Sequence, residues 1–312
     1  MKLPEKITLV EVGLRDGLQN EPVRVGTQKK LELLKDIVGA GFRAVEVGSF
    51  VRPDKVPQMA DTGELLRRAA GTVPADVELR ALIPNRRGLE DAAASGCKSI
   101  KIGVSASRIH NQRNYNRLPE ESISAFESIF EDAAKAGISV IGTVQMAFGS
   151  PWEGGIPPEQ IESIVRVYDR CRIEKVGLGD TASMATPRTV YRRCSELRER
   201  FPHIRFKAHF HNARGLGLSN VLAAMGAGLT EFDGAFAGLG GCPFVPNAAG
   251  NISTEDLLNL CDELGIETGI DIDKVMRIGH KVERIVGHAG NSFVLRAGTV
   301  QNLIDRISAA GK

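Results

Sequence analysis

The sequence predicts a parallel (β/α)8 barrel followed by extra C-terminal helices. Three observations lead there: a recurring helix-to-strand junction, eight short apolar runs, and intervening segments long enough to hold helices. The junction reads VGAG at 38–41, AAASG at 92–96, AAKAG at 133–137 and AMGAG at 224–228, each followed within a few positions by an apolar run. Glycine suits the residue just past a helix, where a left-handed backbone would strain any other side chain. Strands alternating with helices imply a parallel sheet. Eight such units over about 240 residues match a closed barrel of roughly 250 residues better than an open doubly wound sheet.

The first strand is expected at 7–12, where ITLVEV is bounded by a glycine. A helix follows at 27–38, with Leu31, Leu33, Leu34, Ile37 and Val38 at helical spacing. Further strands are expected at 44–48, 78–83, 99–104 and 139–144, with a helix at 121–134 before the last of these. The remaining strands fall at 175–178, 206–211 and 231–236. Residues 253–264 read as the eighth helix, capped by Ser253 or Thr254 with Glu255 and Asp256 in its first turn. Segments 273–286 and 300–309 are amphipathic and would cover the barrel or a partner subunit. No linker separates a second domain, so 1–312 reads as a single TIM-barrel domain, the barrel about 7–265 and a helical extension about 266–312.

Bulk composition narrows the function. Forty basic against 38 acidic residues are spread along the chain for a net charge of +2, which leaves no electrostatic footprint for nucleic acid. No apolar stretch approaches the roughly 18 residues of a membrane span, and the first residues lack the layout of a secretory signal. A cytoplasmic protein acting on small molecules is expected. The five cysteines are odd in number, widely spaced and free of C-x-x-C, which argues against a disulfide framework or a zinc knuckle.

In barrel enzymes the active site lies at the C-terminal ends of the strands, so polar residues placed there carry the argument. His209 and His211 close the seventh strand two positions apart. Side chains at i and i+2 share a face, and neutral imidazole is a common transition-metal ligand. Arg15 and Asp16 follow the first strand and would add a fixed cation and a hard oxygen ligand. Strand two carries Glu46 and Ser49, strand six ends in Asp180, and the glycine-rich segment after strand eight brings Cys242 and Asn251. A buried carboxylate at Glu46 would be costly without a cation, and Arg15 is the natural partner. Each has a plainer reading: His-x-His as a structural pair, Arg15-Asp16 as a rim salt bridge, Cys242 as a packed apolar residue. Their convergence on one rim favours a metal-assisted enzyme. Gly238–Gly241 lacks the Lys-Ser or Lys-Thr of a phosphate loop, and His110, His203, His280 and His288 receive no role.

At these residues the chain resembles the 3-hydroxy-3-methylglutaryl-CoA (HMG-CoA) lyase family of the DRE-TIM metallolyase superfamily. The likeness runs through VEVGLRDGLQNE at 10–21, SF at 49–50, VPQM at 56–59, IPN at 83–85 and SAS at 105–107. It continues through GSPWEG at 149–154 and LGDT at 178–181 to GLGGCP at 238–243 and GN at 250–251. The resemblance implies that Asp16, His209, His211 and Asn251 bind Mg2+ or Mn2+, that Arg15 and Cys242 are catalytic, and that Glu46, Asp180 and Glu255 support catalysis. It also implies acyl-CoA contacts at Arg15, Gln19 and Asn114, with others about the basic loop 108–117, and a homodimer or higher homo-oligomer. The implied reaction cleaves an HMG-CoA-like thioester to acetyl-CoA and a keto acid. A divalent ion chelating the hydroxyl and a carboxylate oxygen would acidify the alcohol and fix the geometry. Arg15 would hold the thioester oxygen as charge develops, Cys242 would protonate the enolate carbon, and Asp180 or a histidine would accept the hydroxyl proton.

Departures bear on the substrate. Where the family usually has HxHDTYG, this chain has HFHNARG at 209–215, and after Asp180 it has TASMATP at 181–187. Gln145-Met146 stand where smaller residues are usual, and Arg108 and His110 replace a Glu and a Phe. These differences raise the expectation of a related 3-hydroxy acyl-CoA as the acid substrate. The rival readings are an acyl-CoA condensing synthase, a pyruvate-releasing aldolase, and a catalytically silent metal- or CoA-binding barrel.

Overall fold

In the computed structural model, residues 2–241 and 250–310 are described. Eight strands, β1 Thr8–Glu11, β2 Ala44–Ser49, β3 Glu78–Leu82, β4 Ser99–Ser105, β5 Ser139–Gln145, β6 Lys175–Asp180, β7 Arg205–Phe210 and β8 Glu231–Gly234, pair in parallel and in chain order. β1 pairs with β8 from Thr8↔Glu231 to Glu11↔Gly234, which closes the barrel. The expected (β/α)8 architecture is therefore the observed one. At the four predicted junctions Gly41, Gly96, Gly137 and Gly228 all take positive φ. Gly41 is also hemmed in, since a Cβ there would lie 2.4 Å from the Gly269 carbonyl oxygen.

The helices at Thr27–Gly39, Pro119–Lys135, Thr254–Glu263, Ile272–Val286 and Val300–Ala310 fall where periodicity places them. Ser253 is the cap of the third of these, accepting from the Asp256 amide at 3.1 Å. The expected basic loop at 108–117 is instead largely a helix, Arg108–Tyr115, capped by Ser107 accepting from the His110 amide. Its two arginines and three amides offer little apolar period, so the signal was the cap rather than the pattern.

Apolar residues alternate onto the outer faces of the strands and pack beneath the helices. Val45 and Val47 of β2, Ile100, Ile102 and Val104 of β4, and Phe206 and Phe210 of β7 belong to that one core. Inside the barrel the apolar content shrinks to a small cluster of Val10, Val12, Ala44 and Ala235. The rest of the interior is largely polar, with a chain of charged side chains set among serine, threonine and glycine positions. Of the C-terminal helices, Ile272–Val286 buries Val275, Ile278, Val282 and Val286 against the barrel, whereas Val300–Ala310 buries nothing. No helix among the described residues is long and apolar enough to cross a membrane.

Candidate active site and metal centre

The segment after β1 does not run straight into a helix. Gly13–Gly17 forms a π-helical turn, with the Leu18 amide donating to the Gly13 carbonyl at 2.8 Å. Such wide turns favour functional sites because they re-aim side chains, and this one turns Arg15 and Asp16 into the barrel mouth. Position 13 must be glycine: a Cβ would lie 2.6 Å from both Glu11 Oε1 and the Phe236 ring. Buried Glu11 ties this turn to the exit of β8, its Oε1 accepting from the Gly13 amide at 2.7 Å and the Phe236 amide at 3.0 Å. Burial outweighs these bonds and pushes the Glu11 carboxyl up to about 8.

Opposite the turn stand the two histidines. His209 is the penultimate residue of β7, and His211, just past its end, makes an isolated bridge to Asn251. His209 Nε2 lies 3.1 Å from His211 Nε2 and 3.7 Å from Asp16 Oδ2, and the third side, His211 Nε2 to Asp16 Oδ2, is 3.8 Å. The point equidistant from these three atoms lies about 2.1 Å from each, the bond length that Mg2+ requires and that histidine nitrogen makes to zinc. Three side chains from two loop-bearing strands thus converge as a ligand set for a divalent ion. Asn251 completes the surroundings: its amide nitrogen donates to Asp16 Oδ2 and to the Leu239 carbonyl, both at 2.9 Å, while its buried Oδ1 has no hydrogen-bond partner among the described residues. Burial holds His209 below its ordinary value despite Asp233 and Asp16, which keeps the ring neutral and able to ligate. Burial opposes charge on Asp16 as well, but Arg15, His211 and His209 outweigh it and hold the carboxyl well below the usual range.

Arg15 donates to Glu46 Oε1 at 2.5 Å and also to Asp16. Although burial opposes its charge, Asp16 and Glu46 keep it protonated beyond its ordinary range. Behind this pair a column of alternating charges descends the barrel. Glu46 meets Lys101 at 3.0 Å, Lys101 meets Asp233 at 3.6 Å, and Asp233 is also paired with Lys207. Lys207 reaches Glu231 at 3.3 Å, and Glu231 in turn binds Arg80 at 2.7 Å and Lys175 at 3.1 Å near the barrel base. Five of these side chains, Glu46, Arg80, Lys101, Lys207 and Asp233, belong to buried residues. A buried charge is tolerated only when paired, and here each link is satisfied from both sides.

The predicted residues separate into those at the mouth and those behind it. Arg15, Asp16, Gln19, Asn114, His209 and His211 line one cavity of about 280 Å3. Glu46 lies below it as the partner of Arg15. Asp180 sits behind His211: its Oδ1 accepts from the Met184 and Ala185 amides at 2.7 and 2.9 Å, and burial pushes the carboxyl up to about 7. Glu255 does not reach the cavity. It accepts from the Ala237 amide at 2.9 Å and from Ser253 at 2.7 Å, so it anchors the left-handed turn at Ala237 (φ 54°) from which the glycine-rich segment departs. Ser49, expected on the same rim, does not line this cavity, and its backbone amide donates to Thr62 Oγ1 at 3.1 Å. Cys242 lies outside the described residues. Cys97, Cys171, Cys194 and Cys261 are free thiols, and burial pushes Cys194 and Cys261 up to about 12, as expected of packing residues.

Four cavity residues, Lys101, Thr143, Lys207 and Asp233, carry no expectation from sequence, and His110 and Gln145 stood out there only as departures from the family pattern. The signal for the first four was alternation, because Lys207 shares a face with His209 and Asp233 alternates with buried Phe232. His110 stacks on Trp152 at 5.9 Å and is held at about 4 by burial, so it is a neutral cavity wall. Of the departures, Asn212 accepts from the Gly217 amide and Arg214 braces the Ser183 carbonyl at 2.8 Å, both as struts, whereas His110 and Gln145 border the space itself.

Residues 6–282 match the HMGL-like family model. The chain is 36% identical over 300 residues to the 3-hydroxy-3-isohexenylglutaryl-CoA/hydroxy-methylglutaryl-CoA lyase of Pseudomonas aeruginosa, covering 95% of this chain and 98% of that one. It is 35% identical over 304 residues to the (R)-citramalyl-CoA lyase of Chloroflexus aurantiacus, covering 95% and 96%. Among solved structures, an HMG-CoA lyase from Acinetobacter baumannii in complex with coenzyme A and 3-methylmalate superposes with a TM-score of 0.89 at 38% identity, over 95% of this chain and 96% of that one.

Proposed function

Because the chain belongs to the HMGL-like family, we propose that it is a divalent-metal-dependent carbon-carbon lyase that cleaves HMG-CoA to acetyl-CoA and acetoacetate. The observation that carries the reading is the triangle of Asp16, His209 and His211 beside a charged Arg15, in one cavity at the C-terminal mouth of the barrel. Lyases at 35% and 36% identity over nearly the whole chain support it over the condensing-synthase, aldolase and silent-barrel readings.

Asp16, His209, His211 and the Asn251 oxygen would hold Mg2+ or Mn2+, whose mixed oxygen and imidazole preferences they meet. Bound there, the ion would supply Lewis acidity to the substrate hydroxyl and its neighbouring carboxylate. Arg15 holds the thioester oxygen: its Nε and one terminal nitrogen are committed to Glu46 and Asp16, which fixes the plane of the guanidinium and leaves further N–H donors for the ligand. That fixed donor favours the enolate over the ground-state carbonyl. Asp180, held near 7 behind His211, and the two histidines are the candidates for taking up the hydroxyl proton. Cys242 is the candidate donor to the acetyl carbon. The cavity of about 280 Å3 suits the short acid portion, leaving the CoA chain to leave past Gln19 and Asn114 at its edge.

The apolar stripe of Val300, Leu303, Ile304 and Ile307, between 50% and 65% exposed at i, i+3, i+4 and i+7, supports a homo-oligomer. We read the protein as cytoplasmic. The test of the reaction is product analysis: HMG-CoA should give equal amounts of acetyl-CoA and acetoacetate. Pyruvate release from 4-hydroxy-2-oxoacids in place of that cleavage would replace the proposal with the aldolase reading.

A further inference from the structure

We infer that Asp233 is a positioning residue, which fixes the ring orientation and tautomer of His209 so that Nε2 is presented bare to the ion. The inference rests on the metal reading of the site. His209 makes two contacts at opposite ring nitrogens: Nδ1 lies 3.1 Å from Asp233 Oδ2, while Nε2 faces His211 and Asp16. Asp233 is 2% exposed and cannot swing away, because Lys207 pairs with its Oδ1 and Lys101 lies 3.6 Å from its Oδ2. An ionised carboxylate has no proton to give, so the Nδ1 it faces must be the protonated nitrogen. A metal ligand's second nitrogen is commonly held in this way, and the ring then has a single usable lone pair.

The two lysines make Asp233 more than a passive acceptor. They keep it ionised and hold it in register with a strand whose own residue, Lys207, sits two positions before His209 on the same face. Among the described residues nothing comparable backs His211, whose buried Nδ1 has no hydrogen-bond partner there. The two ligands therefore differ: His209 is oriented from the barrel core, and His211 by its bridge to Asn251.

The same geometry predicts what an amide would do. In Asp233→Asn the single oxygen is drawn to the two ammonium groups, so the NH2 turns to His209 and forces its proton onto Nε2, blocking ligation. Three measurements test this. In the metal-free wild-type protein, 15N correlation NMR should show His209 protonated at Nδ1. Asp233→Asn should move that proton to Nε2 and weaken Mn2+ binding, titrated calorimetrically, by about 10–100-fold. Lys175→Met, which cuts the same column at its base without touching Asp233, should leave Mn2+ affinity within about two-fold on the same scale.

Wild-type His209 protonated at Nε2, unchanged Mn2+ binding in Asp233→Asn, or equal weakening in Lys175→Met would each overturn the inference. If the Mn2+ pattern holds while HMG-CoA is not cleaved, the positioning role stands and only the proposed reaction fails. The wild-type tautomer requires no variant, so it decides the matter even where Asp233→Asn does not fold.

Discussion

Arg15 does two jobs at once, and its neighbours explain why lysine could not replace it. One edge of its planar fork is spent on Glu46 and Asp16, and that commitment aims the rest at the cavity. Arg15→Gln should lower kcat by about 10²–10³, as loss of an oxyanion donor does, while Mn2+ affinity measured calorimetrically stays close to wild type. A comparable loss of metal binding would place Arg15 in the metal centre instead. At this scale the sequence was most legible where chemistry is written in pairs, as in His209 with His211 and Arg15 with Asp16. It was least legible at Asp233 and Lys101, ordinary charges on short strands whose importance comes only from facing inward. Glu46 lies between: burial made a cation partner necessary and pointed to Arg15, but the second partner, Lys101, comes from a strand 55 positions away.

Among the elements, the turn after β1 and the exit of β8 are the pair on which the mouth depends, and buried carboxyls join them. Glu11 bonds Gly13 and Phe236, and Glu255 bonds Ala237. Because burial raises the Glu11 carboxyl from 4.5 to about 8, the folded state holds this proton more tightly than the unfolded chain. Its contribution to stability is therefore complete below about pH 4.5 and is lost as pH rises through 8. Glu255, raised to about 7, acts in the same sense. Glu11→Gln keeps the shape without the titration, so denaturant unfolding of this variant should lose less stability than wild type between pH 5 and 8. An identical slope in the two proteins would show that Glu11 is ionised in the folded state. Strand and helix positions were readable here from period and caps, but the π-helical turn was not, since nothing in GLRDG distinguishes a wide turn from the start of a helix.

For the whole molecule, the unusual feature is a barrel whose interior is ionic. Barrel interiors are normally layers of branched apolar side chains, and an eye trained on that rule reads alternating strands such as β4 inside out. Ser99, Lys101, Gly103 and Ser105 face inward while Ile100, Ile102 and Val104 meet the helices, so the recurring junctions gave the architecture correctly and hid the polarity of the core. The column has an energetic signature. Lys207→Met would leave buried Asp233 and half-buried Glu231 short of a partner, and should destabilise the protein by about 3–5 kcal/mol, read from denaturant unfolding. A change below about 1 kcal/mol, the range of exposed pairs, would mean that the column contributes no more than a surface salt bridge. Its acid limb has the opposite sign to that of Glu11. Burial opposes charge on Glu231, but Lys207 and Arg80 lower it from 4.5 to about 2, so the stability it adds is present above pH 4.5 and lost as pH falls through 2. The unpartnered C-terminal helix belongs to this scale as well. Light scattering should show an oligomer that Ile307→Glu reduces in size, and a wild-type monomer would remove that role for the stripe.

The most direct test of the central claim joins metal occupancy to turnover. Protein stripped with EDTA should neither bind Mn2+ nor cleave HMG-CoA, and adding Mn2+ should restore acetyl-CoA release in step with one ion per chain, with Asp16→Ala and His211→Ala failing to recover. Full cleavage by the metal-free protein, or by either variant, would contradict the assignment of this site as a metal-dependent lyase centre.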